Sequence, residues 1–197
     1  MKEYDFKRIH CENLYFRMGL SSLINDLFQD EFLSSGSDDI STHGFPDIWV
    51  FSRDSTEELY PFIRQIVSHQ LTIVFGKDCH KRVLSSVPGL EQMVFMDLNV
   101  PLEKALDRIK KSIIASRYGL AVNRVSFVSE PVLTLFEKWV LTGLMSGVSV
   151  SDFASRTGRS VNSISSCKRR MMKKLNVFNN QELFAKAWAM GIHFDAK

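Results

Sequence analysis

Cysteine is scarce in this 197-residue chain. Cys11, Cys79 and Cys167 make an odd number, and no two of them form a Cys-x-x-Cys pair. That pattern suggests neither a disulfide framework nor a cysteine-based zinc site, and a reducing cytoplasm is the expected home. No apolar run is long enough to cross a bilayer. The segment MKEYDFKRIH lacks the basic-then-apolar order of a secretory signal. Gly-rich phosphate loops, metal-ligand clusters and Ser/His/Asp arrangements are missing as well. His10, His43, His69, His80 and His193 are scattered along the chain, so each reads as structural or solvated. No enzyme activity, no cofactor and no metal site is therefore expected. No internal repeat or low-complexity tract is present.

What is there is an ordinary globular composition, 45% hydrophobic and 24% charged, with an uneven distribution of sign. Residues 1–130 carry 15 Lys and Arg against 18 Asp and Glu, a net charge of −3. Residues 131–197 carry 10 against 4, a net charge of +6. An acidic front and a basic back predict two domains with separate tasks, the back one suited to nucleic acid or an acidic surface.

The front alternates short apolar runs with helical spacing. FKRIHC (6–11), DIWVF (47–51), LTIVF (71–75) and QMVFM (92–96) read as strands, with a short strand expected near Thr42. Residues 14–28, 56–69, 79–87 and 101–113 read as helices; the last starts at Pro101 and places Leu102, Leu106, Ile109 and Ile113 on one side. Strands alternating with helices predict an α/β domain with a largely parallel sheet. Residues 117–130 show no sustained period and read as a linker.

The back reads as four short helices. Thr134 with Glu137, Ser149 with Asp152, and Asn179 with Glu182 have capping-box spacing, and Ser160 is placed to cap the helix that follows it. Gly147, Gly158 and Gly191 stand where helices should stop. The third helix holds SISSCKRRMMKKL (163–175). Its spacing sends Val161, Ile164, Met171 and Leu175 inward and Asn162, Ser165, Ser166, Arg169 and Lys173 outward. Small polar side chains let a backbone approach the major groove, and an arginine reaches guanine O6/N7 or a phosphate. Lys168, Arg170 and Lys174 flank that side as phosphate-neutralising cations. Taken alone, such a charge run is more often a solvated helix face.

The surrounding pattern narrows the choice. Leu133-Thr134, Glu137, Val140-Leu141, Gly147, Ala154, Ser160, Ile164, Lys174-Leu175, Val177 and Glu182-Leu183 give residues 133–192 a resemblance, without a gap, to the LuxR-type (FixJ/NarL/GerE-type) helix-turn-helix. The resemblance implies an all-α four-helix module that binds double-stranded DNA through its third helix. It places Ser165, Ser166 and Arg169 at base-reading positions, and Lys168 and Lys173 at phosphates. It also makes Phe184 and Trp188, on the last helix, dimer contacts, with core packing as the equal alternative. SISSCKRRMMKKLNV is further similar to the recognition segment of the Rcs capsule regulators and BglJ. That similarity implies an auxiliary partner of an RcsB-like regulator; a homodimer is the other expected assembly, and RNA polymerase a further expected partner.

Regulators of this kind carry a phosphoacceptor receiver in front, and residues 5–115 resemble one in element order, an α/β, flavodoxin-like fold. A working receiver needs an acidic pair for Mg²⁺, an aspartate nucleophile, a hydroxyl and a lysine. On this chain the acidic pair falls on Cys11 and Glu12, and the phosphoacceptor on Ser52, with Asp54 two residues on. The hydroxyl position falls near Phe75 or Gly76, and the lysine near Met96 or Asp97. The expectation is an atypical receiver over residues 1–116, a linker over 117–130 and the DNA-binding module over 131–197. The whole would be a phosphorylation-independent transcription regulator. The front is short for an acyl-homoserine-lactone-binding domain; sensing of another small molecule stays open. The alternative is a protein–protein adaptor or anti-regulator whose module no longer reads bases, since Ser165 and Ser166 offer little base-reading capacity.

Overall fold

The computed structural model describes residues 8–35, 46–65, 71–85, 87, 90, 93–118, 120 and 132–192. The short strand expected near Thr42, most of the expected linker and His193 lie outside these residues. The chain divides into two units by packing. One takes in the described residues of Met1–Arg53, Gln65–Asp78 and Gly89–Val125; the other takes in those of Asp54–Arg64, Cys79–Pro88 and Ser126–Lys197.

The first unit is built on a sheet of β1 (Ile9–His10), β2 (Asp47–Val50), β3 (Thr72–Gly76) and β4 (Met93–Asp97). The described strands are all parallel and lie in the order β1-β2-β3-β4, with Ile9 opposite Ile48, Val50 opposite Phe75 and Gly76 opposite Asp97. Every residue of β3 is buried, as a central parallel strand requires. The order is that of flavodoxin-like folds from their first strand outward. Alternate residues form one core face: Ile48 and Val50, Ile73 and Phe75, Val94 and Met96. Onto that face pack Leu20 and Ile24 of α1 (Leu14–Ser35), and Ala105, Ile109 and Ile113 of α4 (Leu102–Arg117).

The helix α4 corrects one expectation. Pro101 stands at its N-cap, and Leu102 is 54% exposed instead of joining the core stripe. Ala105 and Ser112 are buried in its place. The contact face is centred one residue further round the helix than the leucines alone suggest, because the small Ala105 lets α4 close on the sheet.

The second unit contains a 3₁₀ turn (Thr56–Glu58), most of α2 (Leu59–Gln65) and of α3 (Asp78–Leu84), and the helices α5 (Leu135–Met145), α6 (Val150–Thr157), α7 (Val161–Lys174) and α8 (Asn180–Ala189). The core of α5–α8 includes Val140, Leu141 and Leu144, Phe153 and Ala154, Ile164, Cys167 and Met171, and Leu183 and Ala187.

Candidate nucleic-acid interface

The interface begins with caps. At α5 the Glu137 N–H donates to Thr134 Oγ1 at 3.2 Å, and the Thr134 N–H donates to Glu137 Oε2 at 2.8 Å. Ser149 Oγ accepts from the Asp152 N–H at 3.0 Å to start α6. Gly158, at φ 65°, ends α6 in the left-handed region, where a Cβ would strain the chain. Only Arg159 separates it from Ser160, whose Oγ accepts from the Ser163 N–H at 3.2 Å to start α7. Two short helices joined by a tight, glycine-bearing turn make a helix-turn-helix. Phe153 and Ala154 on one helix and Ile164 on the other lock it into the core.

That packing fixes what α7 shows to solvent. Ile164, Cys167, Met171 and Leu175 are buried. Asn162, Ser166, Arg169, Arg170 and Lys173 are exposed, while Ser165 and Lys168 are half-buried. Val161 does not join the core as its spacing predicts; at 46% exposure it stands at the open first turn, before the packed side begins at Ile164. Cys167 fills the core position that the pattern of large apolar residues left unassigned.

Lys174, though 39% exposed, is ion-paired within the module. Its Nζ donates to Glu137 Oε2 at 2.7 Å, across from α7 to the buried cap of α5. Burial works against the Glu137 charge, but the Lys174 hydrogen bond and the Thr134 N–H and hydroxyl outweigh it, and the carboxyl lies below its ordinary range. Lys174 therefore ties α7 to α5.

Beside the helix-turn-helix, a groove of about 220 Å³ is lined by Leu144, Val148, Val150, Lys168, Asn180 and Phe184 among others. Phe184, half-buried, forms part of that wall. Trp188 meets the Tyr60 ring edge-on at 5.2 Å, with the Arg64 guanidinium 5.5 Å from its centroid. The same helix carries a charged cluster that sequence spacing did not reveal. Arg82 donates to both oxygens of Glu182, Nη2 to Oε1 at 2.7 Å and Nε to Oε2 at 3.0 Å. Lys186 Nζ donates to the Arg82 carbonyl at 2.7 Å. Burial, only partly offset by Glu182, pulls the Lys186 ammonium down from 10.5 to about 8. Glu182 also accepts the Phe178 N–H at 3.0 Å, and its own N–H is capped by Asn179 at 2.8 Å.

In the first unit, the positions assigned to a phosphorylation site fall at the C-terminal ends of the strands. Cys11 and Glu12 follow β1 and Ser52 follows β2; Phe75 and Gly76 end β3, and Met96 and Asp97 end β4. Glu12 is paired with Arg53 at 2.7 Å in an exposed contact. Phe75 is buried and meets the Phe16 ring edge-on at 6.4 Å. Among the described residues, no three His, Cys, Asp or Glu side chains converge as metal ligands.

No family model and no curated protein matches the chain. Solved structures do share its architecture, which by class is a parallel α/β sheet unit accompanied by a helix-turn-helix unit. The fold is that of RcsB. A structure of two RcsB dimers bound to two parallel DNAs is 19% identical, covers 92% of this chain and 96% of its own, and superposes with a TM-score of 0.58. A complex of the two-component response regulator RcsB with DNA is 20% identical, with the same coverages and a TM-score of 0.57.

Proposed function

We propose that this chain is a sequence-specific DNA-binding transcription regulator that works without aspartyl phosphorylation. The observation that carries the reading is the outer side of α7. It follows a helix-turn-helix turn, exposes Asn162, Ser166, Arg169 and Lys173, and keeps every buried side chain on the opposite side. Side chains of this kind bond base edges and phosphates. Asn162, Ser165, Ser166 and Arg169 are the base-facing set, with Lys168 and Lys173 at phosphates. The RcsB chains of similar fold are bound to DNA, and in one structure as dimers, which supports the same use here.

Independence from phosphorylation rests on the sheet's C-terminal edge. Ser52 offers no carboxylate, Glu12 is ion-paired with Arg53 at the surface, and a buried phenylalanine stands near the hydroxyl position. In chain order we assign residues 1–116 to an atypical receiver, 117–130 to a linker and 131–197 to the DNA-binding module. Activity is then set by abundance and by partner choice, as a homodimer or as the auxiliary half of a heterodimer with an RcsB-like regulator. Phe184 is the stronger of the two dimer contacts, since Tyr60 and Arg64 already pack on Trp188.

An anisotropy titration on a promoter pool at fixed salt, alone and with an RcsB-like partner, tests this. Specific binding alone establishes a self-sufficient regulator, and binding only with the partner an auxiliary subunit. Binding in neither case would leave the adaptor reading. Acetyl phosphate should label neither Ser52 nor Asp54; labelling at Asp54 would overturn the unswitched receiver.

A further inference from the structure

We propose that Val161 is a base-reading residue, recognising the C5-methyl group of a thymine under the first turn of α7. The assignment rests on the DNA-binding reading above and adds one specificity determinant to it. Periodicity places Val161 with the core residues Ile164, Met171 and Leu175. Those three are 0–1% exposed, whereas Val161 is 46% exposed. Leaving a branched apolar side chain in water forfeits part of the roughly 1.5–3 kcal/mol its burial would give. The other exposed side chains of α7, namely Asn162, Ser166, Arg169, Arg170, Lys173 and Lys174, are all polar or charged. Val161 is thus the one exposed apolar group on this helix, and it stands at the end that enters the groove.

The second helix of a helix-turn-helix presents its N-terminal residues to base edges. An A·T pair offers there a thymine methyl beside the adenine N6/N7 donor and acceptor. Val161 and Asn162 carry the two complementary groups, an apolar branch and a side-chain amide. The preceding Ser160 does not compete for the same contact, because its Oγ is held at the cap by the Ser163 N–H at 3.2 Å. Arg169 lies eight residues on, about 12 Å along the helix axis. The operator half-site should therefore hold an A·T pair at one end and a guanine about three to four base pairs away.

The test uses the full chain and the tightest duplex selected from a random pool. Each thymine is replaced in turn by deoxyuridine, which lacks only the methyl group, and affinity is read by anisotropy at fixed salt. One replacement should weaken wild-type binding about fourfold, the worth of one buried methyl at about 0.8 kcal/mol. Val161→Ala should bind the unmodified duplex with about that loss and be indifferent to that replacement. Exposure of Val161 makes a folding defect a poor explanation, and an unchanged urea midpoint for the variant checks it. A wild type indifferent to every deoxyuridine overturns the assignment, as does a sensitive thymine that stays sensitive in Val161→Ala. Selection of no duplex at all sinks the DNA-binding reading with it, an outcome distinct from a bound duplex lacking a methyl effect.

Discussion

Arg169 and Lys173 stand on the same exposed side of α7, four residues apart, yet their substitutions should behave differently. Arg169→Ala should cost about 1–3 kcal/mol on the preferred sequence and relax specificity at one base pair. Lys173→Ala should weaken all sequences alike and reduce the slope of log affinity against log salt by about one. A salt series on preferred and scrambled duplexes separates the two. Gly143, on α5, is a different kind of determinant. A Cβ there would lie 2.5 Å from Cε2 of Phe153. That ring is buried and meets Trp139 edge-on at 5.0 Å, so it has little room to yield. Overpacking of about 1–3 kcal/mol should exceed the helix propensity of about 1 kcal/mol that alanine adds. Gly143→Ala should therefore lower stability by about 1 kcal/mol, read from its urea midpoint. In the sequence Gly143 is only a weak point in a helix; its neighbour is ten residues away and becomes visible after folding.

At the scale of elements, the caps were the most legible feature. A cap is a hydrogen bond within three or four residues, so spacing alone reveals it, and Thr134, Ser149, Ser160 and Asn179 all accept the expected N–H. Helix faces were less legible, because Val161 and Leu102 obey the period yet stay 46% and 54% exposed. Lys174 shows the same limit, since its charge is directed by a carboxylate 37 residues away. Lys174→Met should leave Glu137 buried without its cation. Lys174 is 39% exposed, so the loss should sit well below that of a fully buried pair, about 1–2 kcal/mol. The Glu137 carboxyl is held below its unfolded value, so its contribution is present above that value and is lost as pH falls through the folded one. Urea midpoints in the acid range should drop less steeply for Lys174→Met than for the wild type.

At the scale of the whole molecule, the helical unit draws on residues far from it in sequence. Arg82 reaches Glu182 across 100 residues, and Lys186 reaches the Arg82 carbonyl across 104. Glu182 is almost fully buried, so Arg82→Ala should destabilise this unit by about 2–4 kcal/mol. Lys186 gives the opposite pH dependence to Glu137. Its folded pKa, about 8, lies below the ordinary 10.5, so between those values the folded state holds fewer protons than the unfolded chain. Stability should therefore rise with pH across about 8 to 10.5, after the full cost of burying the ammonium has applied at lower pH. Burial raises the Tyr60, Cys79 and Cys167 pKa values, which acts in the opposite direction, so urea midpoints through that window should follow a more positive slope in the wild type than in Lys186→Met.

By itself the sequence determined whatever depends on near neighbours along the chain. The apolar runs at 47–51, 71–75 and 92–96 read as strands from their length and composition, the caps and Gly158 mark the helix-turn-helix, and the spacing along α7 separates its basic side from most of its core side. Tertiary structure decided which charges remain available for a ligand. Lys174 and Arg82 are assigned to Glu137 and Glu182, whereas Arg169 and Lys173 remain at the surface of α7. A lysine has the same spacing whether it faces a phosphate or a buried carboxylate. The choice depends on distances of 2.7 Å between groups tens of residues apart, and no local pattern encodes those.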